Sequence, residues 1–186
     1  LERFELEAGD ELRIGDTRLR LEIHRPVEGA FDRAGQNRVL KEEGTGLQSR
    51  TRLALEAAFL LEHAKCTGQS FFVVVADVDG LKKINDRNGH LVGTQTLNEI
   101  GRRLRALLCS TAAAARYGGD EFVFVGIDHS PPLDLVLQTL AGPFSIPGRD
   151  LQVTMTSGFA RFPDERLDFA GLFRLADDRL LVNKQP

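Results

Sequence analysis

The stretch that decides the fold is ARYGGDEFVFV, residues Ala115–Val125. Apolar residues on both sides of the paired glycines predict two short strands, and the glycines predict the tight turn that joins them into a β-hairpin. Gly118 and Gly119 tolerate positive φ at the tip and let another group approach closely. The acidic pair Asp120 and Glu121 is then held at the rim of a sheet, where it either faces solvent or takes part in chemistry.

A second stretch carries an acid at the end of a buried strand. Residues 71–76 are the continuous apolar run FFVVVA, which is typical of a central strand buried on both faces, and Asp77 follows directly. Two strands that end in carboxylates can place Asp77 and Asp120 side by side, where they repel each other unless a cation lies between them. Hard oxygen ligands of this kind suit Mg²⁺ together with substrate phosphates.

Both stretches resemble those of the GGDEF family, the diguanylate cyclases. The matches are RYGGDEF (116–122), DVDGLKKIND (77–86) followed by Gly89, His90 and Gly93, TGL (45–47) with Arg50, and Ala176-Asp177 with Lys184. Four ordered blocks with family-like spacing cover roughly residues 40–186, which makes the resemblance specific. It implies an α/β (α+β) fold with a central mixed β-sheet flanked by helices, similar to nucleotidyl cyclases and polymerase palms.

The resemblance also implies a reaction that joins two nucleoside triphosphates into a cyclic dinucleotide and expels pyrophosphate twice. Each domain binds one GTP, so a homodimer is needed for activity, and Mg²⁺ (or Mn²⁺) is the implied cofactor. The implied roles are catalysis by Asp77, Asp120 and Glu121, metal binding by Asp77, Asp120 and the Val78 carbonyl, phosphate binding by Gly80, Leu81, Lys82 and Lys184, and base contacts by Asn85 and by the residue at position 94.

Two positions depart from the family pattern. Thr94 stands where the family usually has an aspartate that accepts two hydrogen bonds from guanine, and a single hydroxyl removes both that contact and the penalty against adenine. We therefore expect relaxed base choice, with ATP as a co-substrate and cyclic GMP–AMP beside cyclic di-GMP, as in a GGDEF subgroup with a small hydroxyl residue here. The stretch Cys109–Ala112 lacks both charges of the family's Arg-x-x-Asp, so we expect no product-inhibition site.

Several positions keep a structural interpretation open. Asp79 either belongs to the site or only caps its loop, His90 is interpreted as a structural hydrogen-bonding residue, and Ser49 fits a helix N-cap. The competing function is a catalytically degenerate domain that senses nucleotides or binds proteins. This alternative is favoured by Thr94, by Ser49, where the family usually has Asn, and by Leu181, where Tyr is common. An enzyme is favoured by the intact Asp77, Asp120, Glu121, Asn85, Lys82 and Lys184.

The first residues have a different pattern. Residues 1–26 alternate apolar and polar side chains as half-buried strands do, with turns at 9–10 and 15–16. The run GDELRIGD (9–16) resembles the last strands of a forkhead-associated domain, which implies a phosphoprotein partner bound by a part of the protein that precedes this chain. Strands that mainly mediate dimerisation are the alternative. Residues 27–44 are interpreted as a linker, either a loop or a charged signalling helix, and residues 45–186 as the catalytic domain.

The composition limits the partners and the cellular compartment that can be expected. Lys and Arg number 24 against 27 Asp and Glu, and the net charge of −3 argues against a nucleic-acid or membrane partner. No apolar run approaches the roughly 18 residues of a membrane span, and we recognise no secretion signal. Two scattered cysteines fit a reducing compartment. We therefore expect a cytoplasmic protein.

The periodicity of apolar residues predicts the other elements. Helical spacing predicts helices over residues 49–64, 95–108, 133–141 and 168–182. Alternation predicts a strand over residues 151–160, with a bulge at Gly158. Residues 79–82 are expected to form a sharp loop whose free amides suit phosphate.

Overall fold

The computed structural model describes residues 11–14, 17–20, 42, 44–129, 131–146 and 151–185. The chain divides into two units, Leu1–Arg38 and Val39–Pro186. In the first unit, strands β1 (Glu11–Ile14) and β2 (Thr17–Arg20) pair antiparallel, with Leu12 opposite Leu19. Both predicted turns, most of the predicted linker and the remaining residues of the N-terminal segment lie outside the described residues.

The second unit alternates helices and strands around one sheet. Its elements in chain order are α1 (Arg50–Thr67), β3 (Phe71–Val78), α2 (Leu81–Asn88), α3 (His90–Ala106), β4 (Ala112–Arg116), β5 (Glu121–Ile127), α4 (Leu133–Ala141), β6 (Phe144–Ser145), β7 (Gln152–Val153), β8 (Met155–Phe162) and α5 (Phe169–Asn183). Four strands form a sheet in the order β4-β5-β3-β8, and β6 pairs separately with β7. Helices flank this sheet, which confirms the predicted α/β (α+β) fold class.

The central strand β3 is buried on both faces, as its apolar run predicts. Phe72, Val74 and Ala76 pack with α3 and α4 on one face, and the alternate residues pack with α1 and α5 on the other. All six residues of the run are at most 2% exposed. The helical residues in these two layers are Leu97, Ile100, Leu104, Val136 and Leu140 on the first face, and Leu53, Ala57, Leu60, Leu61, Ala64, Leu172, Ala176 and Leu180 on the second. Burial of this apolar surface holds the ends of β3 and β5 in a fixed position.

Polar caps set the limits of the helices. The Ser49 side chain accepts a hydrogen bond from the Arg52 N–H (3.4 Å) and begins α1, which confirms the predicted cap, and Asp168 begins α5 in the same way. Helix α3 begins at His90, earlier than the predicted residue 95, because its first turn exposes Leu91 and buries Gly93, which obscures the apolar stripe. No helix in the described part of the chain is long and apolar enough to cross a membrane.

The pairing of the sheet differs from the expected mixed arrangement. Strand β5 is antiparallel to both β4 and β3, and β8 is antiparallel to β3. Strands β3 and β4 run in the same direction, but the hairpin places β5 between them, so no parallel pair forms within the described sheet. An isolated parallel bridge joins Gln48 to Ala115 at the outer edge of β4.

The surroundings of two glycines correct what the sequence suggested. Gly158 is not a bulge: it lies in register opposite Val75, and a Cβ there would collide with the backbone of α5. At the hairpin tip, neither Gly118 nor Gly119 has positive φ. A Cβ on Gly118 would instead collide with the carboxylate of Glu121. Position 158 therefore requires glycine for close approach to backbone, whereas a side chain at position 118 would displace the end of the Glu121 side chain.

Candidate active site

Two acidic strand ends meet at one edge of the sheet. Asp77 is the penultimate residue of β3, Asp120 directly precedes β5, and the strand register places Asp77 opposite Glu121. The Val78 N–H donates to the Asp120 carbonyl (3.1 Å), so hydrogen bonding between the two segments extends past the last ladder pair. The structure thus brings together the three predicted catalytic acids, because the buried faces of β3 and β5 specify a single register.

The Asp77 carboxylate occupies an unfavourable position for an unpaired negative charge. Burial raises the pKa of Asp77, and the charges of Asp120 and Asp79 raise it further, while Lys184 offsets part of this rise. The Lys184 ammonium forms an ion pair with Oδ1 of Asp77. A cation therefore already stands beside the carboxylate that the sequence predicts to bind a metal.

The turn that follows β3 is held from one side by two threonines. Gly80 has φ +68°, and α2 begins at Leu81. The Asp79 N–H donates to the Thr154 carbonyl (3.0 Å), and the Asp79 carboxylate accepts hydrogen bonds from the hydroxyls of Thr154 and Thr156, both at 2.7 Å. These contacts favour the structural interpretation of Asp79.

A cleft of about 500 Å³ extends from Asp120, directly before β5, along α2 and α3. A pocket of this size accommodates a small-molecule ligand. The predicted site residues that line it are Leu81, Lys82, Asn85, Thr94 and Asp120. Residues predicted to contact phosphate, base and metal thus share one cavity.

The two residues predicted to contact the base lie on α2 and α3. Oδ1 of Asn85 is buried and has no hydrogen-bond partner among the described residues. It lies against Gly93, where a Cβ would collide with it. The Thr94 hydroxyl donates to the His90 carbonyl (3.0 Å), so it presents its lone pairs to the cleft. Because a buried polar atom without a partner costs free energy, the Asn85 carboxamide indicates a ligand that donates to it.

Arg116 ties the hairpin to the segment that precedes α1. Its Nε and Nη2 donate to the Gly119 carbonyl (3.2 and 2.7 Å), and its Nη1 pairs with Glu42 at 2.9 Å. Glu42 also accepts hydrogen bonds from the N–H and hydroxyl of Thr45, both at 2.6 Å. Burial raises the pKa of Glu42, but the Thr45 hydrogen bonds and the Arg116 charge lower it overall, so the carboxylate stays ionised.

Arg50 supports the hairpin from the other side. Its guanidinium lies 4.3 Å from the centroid of the Tyr117 ring, and its Nε donates to the Tyr117 carbonyl. The same ring packs on Phe173 of α5, with centroids 4.9 Å apart. The turn that carries Asp120 is therefore braced on both sides by arginines.

Three supporting residues of this region carry no predicted role. Glu42 was assigned to the linker, although its position three residues before Thr45 fits a local carboxylate–hydroxyl contact. Thr154 and Thr156 were considered only as part of an alternating strand. Their spacing of two residues places both side chains on one face, which was the available signal.

The stretch Cys109–Ala112 lies outside the cleft. Three of its residues line a second cavity of about 470 Å³ together with Gln48 and Phe59. The structure therefore places this uncharged stretch apart from Asp77 and Asp120.

The residues present fit a divalent ion that is shared with a substrate. Among the described residues, no group of three or more His, Cys, Asp or Glu side chains is placed to hold a metal on its own. Mg²⁺ is commonly held by one or two carboxylates plus substrate phosphates. Asp77 and Asp120 supply the oxygen donors for that arrangement, and burial with the neighbouring charges of Asp120 and Asp79 raises the pKa of Asp77.

Comparison with known proteins agrees with this geometry. A signalling protein of Caulobacter vibrioides is 32% identical over 148 residues, which is 76% of this chain and 18% of the relative. The diguanylate cyclase DgcP of Pseudomonas aeruginosa is 32% identical over 162 residues, which is 81% of this chain and 23% of the relative. The chain thus spans less than a quarter of the length of either relative.

Solved structures and a family profile give the same result. A sensory box/GGDEF family protein of Caulobacter crescentus superposes with a TM-score of 0.69 at 32% identity, covering 78% of this chain and 97% of that one. The GGDEF domain of TpbB (YfiN) from Pseudomonas aeruginosa superposes with a TM-score of 0.67 at 27% identity, covering 77% and 88%. The profile described as "Diguanylate cyclase, GGDEF domain" matches residues 42–186, and the chain therefore belongs to the GGDEF family.

Proposed function

We propose that the chain condenses two nucleoside triphosphates into a 3′,5′-cyclic dinucleotide and releases pyrophosphate. The observation that carries this proposal is that Asp77 lies at the strand end beside Asp120, and that Asp120 lines a cleft together with Asn85, whose carboxamide oxygen has no partner among the described residues. Membership of the GGDEF family and the diguanylate cyclases among its relatives support it. Cyclic di-GMP is the general product that this family membership supports.

The carboxylates would hold the metal. Diguanylate cyclases of the family are generally metal-dependent, and we infer Mg²⁺ or Mn²⁺ held by Asp77, Asp120 and the Val78 carbonyl. Such an ion, when bound, neutralises charge on phosphate oxygens and lowers the pKa of the attacking 3′-hydroxyl. Lys184 keeps the Asp77 charge compensated in the structure as it stands.

The other residues place the substrate. The 3′-hydroxyl of one nucleotide attacks the α-phosphorus of the other, and Glu121 orients that hydroxyl or accepts its proton. Backbone amides at Gly80 and Leu81, with the Lys82 ammonium, bind the outer phosphates. Lys184 completes this phosphate site when it exchanges Asp77 for a phosphate oxygen.

Two copies of the domain are needed, because one cleft holds one triphosphate and the reaction joins two. A C₂ pair presents each 3′-hydroxyl to the other nucleotide. The segments before the catalytic domain would then control activity by raising the effective concentration of one domain near another. The family match from residue 42 supports a catalytic domain over residues 45–186. A forkhead-associated origin for residues 1–26, and a phosphoprotein as the partner of such a domain, belong to the same proposal.

Thr94 is proposed to relax the choice of base. Its hydroxyl proton is directed to the His90 carbonyl, so the side chain acts as an acceptor of one hydrogen bond from the base. Guanine N–H groups and the adenine amino group both donate to such an acceptor. We therefore expect cyclic GMP–AMP beside cyclic di-GMP, with ATP as a co-substrate.

The test is incubation of the protein with Mg²⁺ and GTP, with and without ATP, followed by measurement of pyrophosphate and separation of the products. Wild type should release pyrophosphate from GTP, and Asp77→Asn and Asp120→Asn should abolish the release. No release by wild type at concentrations that permit dimerisation would favour a catalytically degenerate domain that senses nucleotides or binds proteins. Because Cys109–Ala112 is uncharged, added cyclic di-GMP should not inhibit through that surface.

A further inference from the structure

Asp79 lies between Asp77, a proposed metal ligand, and Gly80 and Leu81, which are proposed to bind phosphate. The hydrogen bonds of its carboxylate fit neither metal binding nor phosphate binding. Both of its oxygens accept hydrogen bonds from threonine hydroxyls, Oδ1 from Thr156 and Oδ2 from Thr154, each at 2.7 Å. Its backbone N–H donates to the Thr154 carbonyl at 3.0 Å. Three hydrogen bonds thus join one residue of the turn to Thr154 and Thr156, which lie 75 and 77 positions later in the chain.

The segment that supplies the hydroxyls is anchored by β8, because Thr156 lies within this strand and Thr154 directly precedes it. Strand β8 pairs with β3 through eight residues, and Thr156 lies directly opposite Asp77. The turn itself is intrinsically less constrained, because Gly80 has φ +68° and many conformations are open to glycine. Hydrogen bonds to an ionised acceptor are roughly twice as strong as neutral ones. The contacts therefore restrict a turn whose glycine alone would leave it free.

We propose that Thr154, Thr156 and Asp79 are positioning residues that hold the turn at residues 79–80, and with it the start of α2, in the conformation that receives the triphosphate. Asp79 acts through the turn and does not bind the metal. The inference rests on the proposed function, since it assigns the turn to the phosphates of the same nucleotide. This role explains how an acidic residue can lie beside a phosphate site, because both oxygens of the Asp79 carboxylate accept hydrogen bonds from threonine hydroxyls.

The test compares nucleotides with and without the outer phosphates. The variants Thr154→Val and Thr156→Val each remove one hydroxyl with little change of shape. We expect each to raise the dissociation constant of a GTP analogue with a non-cleavable α–β bridge by about tenfold, as loss of a hydrogen bond to a charged group does. The dissociation constant of GMP, which lacks the outer phosphates, should change by less than about twofold.

Matched variants separate positioning from a general structural effect. Thr154→Ser and Thr156→Ser keep the hydroxyl and should restore tight binding of the analogue, even if a valine variant folds poorly. Thr139→Val removes a hydroxyl that bonds the Leu135 carbonyl on α4, away from the cleft, and should change neither dissociation constant. Equal weakening of the analogue and of GMP in the valine variants would refute the positioning role.

Metal dependence supplies a second test. Asp79→Asn should weaken binding of the analogue but leave the Mg²⁺ concentration for half-maximal activity within about twofold of wild type. A large increase in that concentration for Asp79→Asn, without one for the valine variants, would show that Asp79 binds the metal and would overturn the inference. A wild-type protein that binds neither nucleotide would instead refute the proposed function itself.

Discussion

Replacement of Thr94 by aspartate should make the protein strictly selective for GTP over ATP. Thr94 lines the cleft on the first turns of α3 and is exposed there, so the larger carboxylate side chain can be accommodated without repacking. A carboxylate accepts hydrogen bonds from guanine N1–H and N2–H₂ together, and it repels the acceptor N1 of adenine. A bidentate contact of this kind is worth about 1–3 kcal/mol of discrimination, which corresponds to an increase of about 5- to 150-fold in the preference for GTP over ATP.

The assay is the ratio of cyclic GMP–AMP to cyclic di-GMP at equal concentrations of GTP and ATP. Wild type should produce both, and Thr94→Asp should produce almost only cyclic di-GMP. The loss of the hydrogen bond to the His90 carbonyl costs about 1 kcal/mol of stability and leaves the protein folded.

The matched control is Gln95→Asp, which adds the same charge one residue later on a side chain that faces a different surface. It should leave the product ratio unchanged. If Thr94→Asp and wild type give the same ratio, residue 94 does not contact the base and the argument from hydrogen-bond donors and acceptors fails.

Three further predictions concern contacts that support the site and the fold. Glu42→Gln removes the charge that pairs with Arg116. The loss of roughly 1–2 kcal/mol of charge-assisted hydrogen bonding should lower kcat about tenfold with little change in KM, and an unchanged kcat would contradict this. Hydrogen bonds from Arg102 lower the pKa of Glu99 to about 2. The contribution of Glu99 to the free energy of unfolding is therefore present above pH 4.5 and lost as the pH falls toward 2. After solvent screening is taken into account, Glu99→Gln should lower the free energy of unfolding, measured by denaturant titration, by about 1 kcal/mol at pH 7 and not at pH 2. Gly158→Ala should cost about 3 kcal/mol or more, because its Cβ meets the backbone of α5, whereas Gly142→Ala, at φ −70°, should be tolerated.

The residues found in short motifs are the ones whose place in the fold could be predicted from the sequence. Asp77 follows an apolar run long enough to predict a buried strand, and Asp120 follows a glycine pair that predicts a hairpin. Asn85, Thr94 and Lys82 were located relative to these two points. The local sequence pattern was sufficient to predict where these residues lie, because the helix, strand or turn that carries each residue determines its position.

The contacts that support those residues could not be predicted in the same way. Glu42 pairs with Arg116, which lies 74 positions later in the chain. The local sequence around either residue does not indicate the other as its partner. The requirement for glycine at position 158 arises from the backbone of α5, so the strand pattern alone suggested a bulge. The antiparallel pairing also depends on which strand lies beside β3, and local sequence leaves that choice open.

By itself, the sequence determined the buried strand at 71–76, the hairpin at its acidic turn and the family to which both belong, because burial and turn formation are properties of neighbouring residues. The tertiary structure alone decided that β5 lies next to β3, that Lys184 neutralises Asp77, and that Asp79 is engaged by two threonines. Those partners are distant in the chain, and packing of the two helical layers on the sheet is what brings them within hydrogen-bonding distance.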